Sequence, residues 1–353
     1  MSYYSEDYRV SREIREEQYD QLKRYIAGKL TLEVERNADL FLPDTSSLSG
    51  YMTSLTDYRL YYERVMGYDV LTASPLPPVI AREEYVAEDS VSSIYRLYIE
   101  VEDGLECYGL YLLPRTIAKK YPLMVHLHGG GGCPEMICSF GKPNNYNEAS
   151  RRMVQAGFAV FCPLYSFRSF ADEEDTAIPP ESRVLLENKA REWNTSLTAI
   201  ELFKLRRSLD HLLARPEIQS REVGVAGLSY GGYHSLISAA LEPRFQFCIC
   251  SCGLVVENPN DYSHLHARLG SRIVLHQLIA MIAPRLCIIE AGLFDEGKPL
   301  EPGRWVISQA ARYFEELGIP EKLHYIEFDG THEFHLSRSL TYLLGSLSWL
   351  DNN

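Results

Sequence analysis

The chain has 353 residues, of which 46% are hydrophobic and 24% are charged, close to the globular average, which excludes a disordered or collagen-like protein. Acidic residues outnumber basic ones by 48 to 35, and the formal charge of −13 disfavours binding to nucleic acid or to an anionic membrane surface. Eight cysteines are too sparse for a disulfide scaffold.

The amino-terminal quarter, residues 1–84, is predicted to be a helical extension that packs on the main domain, residues 85–353. Apolar residues recur at helical spacing over residues 11–29, and a second, tyrosine-rich helical pattern covers residues 55–66. A proline-rich connector follows at residues 73–78. A homodimer is compatible with the tyrosine-rich extension.

The chain begins with acidic residues and lacks the apolar core of a secretory signal. No uncharged apolar stretch approaches the ~18 residues that a membrane span requires. We therefore expect a cytoplasmic protein with reduced cysteines and no membrane association.

From about Glu84 the pattern changes to strands and then to alternating strands and helices. A hairpin is predicted first, with strands at residues 94–101 and 106–113. Short apolar runs, typical of strands buried on both faces of a parallel sheet, follow at residues 123–127, 159–162, 223–226, 245–250, 286–290 and 323–328. Helical patterns lie at residues 192–214, 233–241, 304–317 and 334–349. This order predicts an α/β fold with a doubly wound, mostly parallel sheet.

A candidate nucleophile lies in residues 227–232, which read Gly-Leu-Ser-Tyr-Gly-Gly. This segment directly follows a buried strand and precedes a helix, the setting of a nucleophile elbow. Its glycines remove the Cβ atoms that would clash where strand and helix approach each other. Ser229 would then project beside a helix amino terminus, whose partial positive charge favours an oxyanion. The alternative is a glycine-rich turn with an incidental serine.

A glycine-rich loop, residues 128–132 with the sequence His-Gly-Gly-Gly-Gly, follows an earlier strand. Residues without side chains let backbone N–H groups approach a developing negative charge closely. The loop is therefore predicted to form one half of an oxyanion hole, and the N–H of Tyr230 the other half. A phosphate-binding loop is the weaker alternative, because Cys133 and Pro134 follow in place of Lys-Ser/Thr.

A serine nucleophile needs a base, and the base needs an acid that orients it. His332 follows the last predicted strand through a short turn and is the predicted base, with His335 as its closest competitor. Asp295 lies just beyond the penultimate strand and is the predicted acid, for which the adjacent Glu296 could substitute. The chain order serine, aspartate, histidine is that of the α/β-hydrolases.

From about residue 85 onward the chain resembles the α/β-hydrolase superfamily. Its Gly-Leu-Ser-Tyr-Gly-Gly and Asp-Gly-Thr-His-Glu-Phe-His segments resemble the branch of dienelactone hydrolases, acetyl xylan esterases and prolyl-oligopeptidase-like proteins. The resemblance implies an α/β-hydrolase fold with a sheet of about eight strands and neither a metal nor an organic cofactor. The residues that it assigns are the nucleophile Ser229, the acid Asp295, the base His332 and the oxyanion donors Gly130, Gly131 and Tyr230.

We therefore predict a serine hydrolase that cleaves a small-molecule carboxylic ester through an acyl-enzyme. Two alternatives stay open: an amide or peptide hydrolase with the same triad, and a hydrolase-like scaffold retained for binding. Arg168, in the loop after the fourth predicted strand, is a candidate for binding a carboxylate or a sugar hydroxyl of the substrate. Cys248, Cys250 and Cys252 alternate along one strand and are predicted to share one face as small core residues.

Overall fold

The computed structural model of the chain describes residues 4, 7, 9, 12–38, 41–116, 118–130, 132–165, 180–254, 274–296 and 300–347. The strands are β1 (Ile80–Glu88), β2 (Ser92–Glu102), β3 (Leu105–Pro114), β4 (Tyr121–Leu127), β5 (Ala159–Pro163), β6 (Ile218–Leu228), β7 (Phe247–Ser251), β8 (Leu286–Gly292) and β9 (Leu323–Phe328). The helices are α1 (Arg12–Ala38), α2 (Leu48–Met66), α3 (Tyr68–Leu71), α4 (Pro134–Ile137), α5 (Ala149–Gln155), α6 (Pro180–Glu192), α7 (Leu197–Leu213), α8 (Tyr230–Leu241), α9 (Leu275–Ala280), α10 (Leu300–Glu316) and α11 (Ser337–Gly345).

The described strands form one nine-stranded sheet in the order β1-β2-β3-β5-β4-β6-β7-β8-β9. The first three strands and β5 pair antiparallel, and all pairings from β5 to β9 are parallel. The predicted α/β fold with a mostly parallel sheet is confirmed. The count of strands is nine rather than eight, because β1 begins at Ile80 and pairs with β2. Most of its side chains are exposed and four of the nine are charged, so it lacks the apolar run of a buried strand.

Both faces of the central strands β4, β5 and β7 are buried, as expected for a doubly wound sheet. Along β4, Leu123 and Val125 belong to one hydrophobic core, whereas Met124 between them belongs to a second core. Successive side chains of a strand point to opposite faces, so the two cores lie on opposite sides of the sheet. Because the strands from β5 to β9 are parallel, their carboxyl ends lie along one edge of the sheet.

Helix α2 packs into the first of these cores. Its residues Tyr51 and Leu55 are fully buried, and the Tyr51 hydroxyl donates a hydrogen bond of 2.8 Å to the carbonyl oxygen of Ala280. Helix α1, in contrast, exposes every side chain from Arg12 to Lys29. Each helix within the described ranges is too short or too polar to cross a lipid bilayer.

The predicted helix at residues 192–214 begins later in the structure, as α7 (Leu197–Leu213), and Glu192 belongs to the preceding helix α6. Helix α6 ends at Glu192, and Asn194 takes a positive φ of 59°. Ser196 then caps α7, since its Oγ accepts a hydrogen bond from the N–H of Ala199 and donates one to the carbonyl oxygen of Met66. The start of α7 is therefore held by a contact with Met66, the last residue of α2, which is distant in the sequence.

Candidate active site

Ser229 lies on a strained turn between β6 and α8. Its φ of 59° and ψ of −120° are unusual for a residue with a Cβ, and such strain is typical of functional sites. A Cβ on Gly227 would lie 2.3 Å from the backbone of Gly231, and a Cβ on Gly231 would lie 2.2 Å from the carbonyl oxygen of Leu127. Only glycine fits at both positions, and the strand, turn and helix have the arrangement of a nucleophile elbow.

His332 and Asp295 form a hydrogen-bonded pair at the carboxyl ends of β9 and β8. Their Nδ1 and Oδ2 atoms are 2.8 Å apart, and the side chains are 33% and 7% exposed, respectively. The two competing residues have different surroundings. The His335 ring stacks on Phe328 with a centroid distance of 4.7 Å, and the Glu296 side chain is exposed. The structure thus brings together the predicted base and the predicted acid.

Ser251, the last residue of β7, connects the turn of Ser229 to the loop of His332. Its carbonyl oxygen accepts a hydrogen bond of 2.8 Å from the N–H of Ser229. Its hydroxyl donates a hydrogen bond of 3.0 Å to the carbonyl oxygen of Glu333, the neighbour of His332. Both segments are therefore held by one residue of the strand that lies between them.

The loop of His332 is also held from two other sides. Asn145 donates a hydrogen bond of 2.9 Å from Nδ2 to the carbonyl oxygen of His332. The buried Glu290 of β8 accepts a hydrogen bond of 3.0 Å from the N–H of Leu336 and a second one from the Ser339 hydroxyl. These contacts hold the backbone on both sides of the imidazole.

Two of the predicted oxyanion donors, Gly130 and Tyr230, are neighbours in space. A Cβ on Gly130 would lie 4.0 Å from the Cβ of Tyr230, and a Cβ on the preceding Gly129 would lie 3.3 Å from the Cβ of Ser229. The glycine-rich loop therefore lies against the elbow. The other predicted donor, Gly131, and the predicted substrate residue Arg168 lie outside the described residues.

Tyr146 and His128 hold this loop, and neither residue was predicted from the sequence to do so. The buried N–H of Gly129 donates a hydrogen bond of 2.8 Å to the Tyr146 hydroxyl, so this N–H is not an oxyanion donor. His128 Nε2 accepts a hydrogen bond of 2.9 Å from the N–H of Tyr165, and Nδ1 lies 2.9 Å from the Gly129 carbonyl oxygen. The ring is therefore the neutral tautomer with its proton on Nδ1. Burial raises the pKa of the adjacent Tyr165 well above its usual value, which keeps that hydroxyl protonated.

The prediction that Cys248, Cys250 and Cys252 share one face is wrong for Cys252. Strand β7 ends at Ser251, and Cys252 turns away from the strand with a positive φ of 46°. Its side chain joins the second core, whereas Cys248 and Cys250 belong to the first. The Cys252 thiol consequently lies against the loop of His332, with Sγ 3.6 Å from the carbonyl oxygen of Glu333.

Comparisons with known proteins agree with this architecture. The model of the dienelactone hydrolase family matches residues 137–267. Among solved structures the chain is similar to a methylesterase, with a TM-score of 0.65 and 14% identity over 91% of this chain and 68% of that one. It is also similar to a glucuronoyl esterase from Solibacter usitatus, with a TM-score of 0.58 and 15% identity over 86% of this chain and 96% of that one. It is similar as well to an acetyl xylan esterase from a Paenibacillus species, with a TM-score of 0.57 and 19% identity over 83% of this chain and 95% of that one.

The chain therefore has the α/β-hydrolase fold. The predicted resemblance to the branch of dienelactone hydrolases and acetyl xylan esterases is confirmed by the family match together with these structures. The search of curated proteins finds no match to this sequence.

Proposed function

We propose that the protein is a serine hydrolase that cleaves a small-molecule carboxylic ester through an acyl-enzyme. The observation that carries this proposal is the 2.8 Å contact between His332 and Asp295 at the edge of the sheet where Ser229 occupies its strained turn. Because Nδ1 of His332 donates to Asp295, its Nε2 is left to accept a proton from the serine hydroxyl.

The reaction begins when Ser229 Oγ attacks the ester carbonyl carbon and its proton passes to His332 Nε2. Asp295 fixes the tautomer of the ring and stabilises the imidazolium that forms. The N–H groups of Gly130 and Tyr230 hold the oxyanion of the tetrahedral intermediate. The alcohol leaves with the proton from His332, and water activated by the same imidazole then hydrolyses the acyl-enzyme and regenerates Ser229.

An ester is favoured over an amide because the similar structures are described as a methylesterase, a glucuronoyl esterase and an acetyl xylan esterase. A scaffold retained only for binding is disfavoured, because nothing in such a role requires a strained serine at position 229. An aryl ester compared with the matching anilide separates an esterase from an amidase.

A fluorophosphonate probe tests the proposal, because it forms a covalent bond with an activated serine hydroxyl. We expect one labelled site per chain in the native protein and no labelling of Ser229→Ala. Ser308→Ala, which removes an exposed hydroxyl on α10, should be labelled like the native protein. A folded native protein that stays unlabelled would contradict the proposal, and so would equal labelling of Ser229→Ala.

Tyr146→Phe is expected to lower kcat for an aryl ester about 10-fold while KM changes little. The substitution leaves the buried N–H of Gly129 without its acceptor, which costs about 1–3 kcal/mol and displaces the loop that carries Gly130. Displacement of an oxyanion donor should lower kcat less than its removal, which lowers kcat by about 10²- to 10³-fold.

The matched control is Tyr62→Phe, which removes another buried hydroxyl, bound to Gln277 in the core beneath α2. Both variants should lose thermal stability, and only Tyr146→Phe should lose kcat. Equal kcat in the two variants would show that Tyr146 does not position the loop.

A further inference from the structure

A thiol lies beside the acid and base, and the proposed mechanism gives it no role. Cys252 Sγ, a carboxylate oxygen of Asp295 and a ring nitrogen of His332 all lie within 4.8 Å of one another. We propose that these three side chains form a binding site for Zn²⁺ and that the bound cation inhibits hydrolysis. The inhibition rests on the proposed function, whereas the binding does not.

The chemistry of the three donors selects a soft divalent cation. Thiolate, imidazole and carboxylate are the groups that bind Zn²⁺ in proteins, and three protein ligands leave the fourth tetrahedral position for water. The thiolate and the carboxylate together neutralise the two positive charges of the ion. Mg²⁺ and Ca²⁺ prefer oxygen ligands throughout, so a thiolate disfavours them.

The geometry of the three side chains is close to that of a zinc site. Zn–N, Zn–O and Zn–S bonds of about 2.0–2.3 Å place tetrahedral ligand atoms ~3.3–3.8 Å apart. The atoms of Asp295 and His332 are 2.8 Å apart, and those of Cys252 lie within 4.8 Å of both, so side-chain shifts of about 1 Å suffice. These shifts do not require the backbone of Cys252 to move. Its N–H donates a 2.8 Å hydrogen bond to the carbonyl oxygen of Glu290, which holds it in place.

A cavity adjoins two of the three ligands, and the third is open to solvent. The cavity has a volume of about 30 Å³, which exceeds the space that one water molecule needs, and it is lined by Cys252, Asp295 and Tyr325 but not by His332. The His332 side chain is one third exposed, so a cation can reach the ring from solvent. The side chains of Asp295 and Cys252 are nearly buried.

Metal binding removes the groups that catalysis needs. Cys252 releases its thiol proton to solvent and binds as the thiolate. The Nδ1 of His332 binds the metal, and its proton moves to Nε2. The ring then cannot accept the proton of Ser229, and Asp295 no longer orients it, so the expected effect is a loss of kcat.

Binding is measured directly with Co²⁺ as a spectroscopic substitute for Zn²⁺. The native protein and Ser229→Ala should both show a thiolate-to-cobalt absorption band that saturates at one equivalent and is displaced by Zn²⁺. Cys252→Ala and the closer isostere Cys252→Ser should lack the band and bind Zn²⁺ at least about 10-fold more weakly, since even an outer-shell partner contributes 10- to 100-fold. Cys133→Ala, which removes the half-exposed thiol outside this cluster, should keep the band.

Inhibition is measured as the rate with Zn²⁺ relative to the rate of the same variant after treatment with EDTA. Zn²⁺ should inhibit the native protein reversibly, and Cys252→Ser should need at least about 10-fold more Zn²⁺ for the same inhibition. Equal zinc sensitivity in the two proteins, or the absence of a cobalt band, would overturn the site. A band in Ser229→Ala together with an inactive native protein would keep the metal site and reject the proposed hydrolase.

Discussion

Replacement of Ser229 by alanine is expected to lower kcat for a short-chain aryl ester by a factor on the order of 10⁶, as loss of a serine nucleophile does in other triads. In the proposed mechanism the hydroxyl forms the acyl-enzyme, and alanine has no group that replaces it. The fold should survive, because the turn is held by backbone atoms that alanine keeps. The N–H of Ser229 donates to Ser251, and its carbonyl oxygen accepts from the N–H of Tyr233.

The measurement is steady-state hydrolysis together with a thermal melt of each protein. A melting temperature close to that of the native protein shows that the loss of rate is chemical rather than structural. Turnover of Ser229→Ala near the native rate, in a preparation free of other esterases, would show that Ser229 is not the nucleophile.

Asp295→Asn is expected to lower kcat by a factor on the order of 10⁴, with KM within a few-fold of the native value. The amide is close to the carboxylate in size but carries no charge, so it cannot stabilise the imidazolium of His332. Its NH₂ group also favours the tautomer that places the ring proton on Nε2, where the serine proton has to go. The effect should therefore fall on the chemical step.

Glu296→Gln is the matched control, since it neutralises the adjacent carboxylate, which is exposed. Its kcat should stay within a few-fold of the native value. If Glu296→Gln were the damaging change and Asp295→Asn were not, the acid would be assigned to the wrong residue.

The sequence predicted the elements that carry the candidate site because the signals for them are local. A strand followed directly by Gly-x-Ser-x-Gly is typical of a tight turn, and the structure shows why Gly227 and Gly231 cannot carry a side chain. Asp295 and His332 were predicted in the same way, as polar residues just beyond the last two predicted strands. Parallel strands bring such residues to one edge of the sheet.

The residues that hold the site could not be predicted, because their contacts join distant parts of the chain. Tyr146 is one of 24 tyrosines, and nothing in its neighbourhood indicates that its hydroxyl accepts from Gly129. Glu290 was correctly placed in a strand, but its contacts with the segment after His332 arise from the fold alone. Cys252 follows two cysteines at strand spacing, and only its positive φ separates it from them.

The two hydrogen bonds of Ser251 have a consequence for how the site responds to thermal motion. The turn of Ser229 and the loop of His332 are attached to the same amino acid. When β7 shifts relative to its neighbours, both attachments move in the same direction, so we expect the distance between the Ser229 hydroxyl and the His332 imidazole to fluctuate less than the position of either group. The relative position of the two groups that the proposed mechanism needs can thus persist while the whole sheet moves.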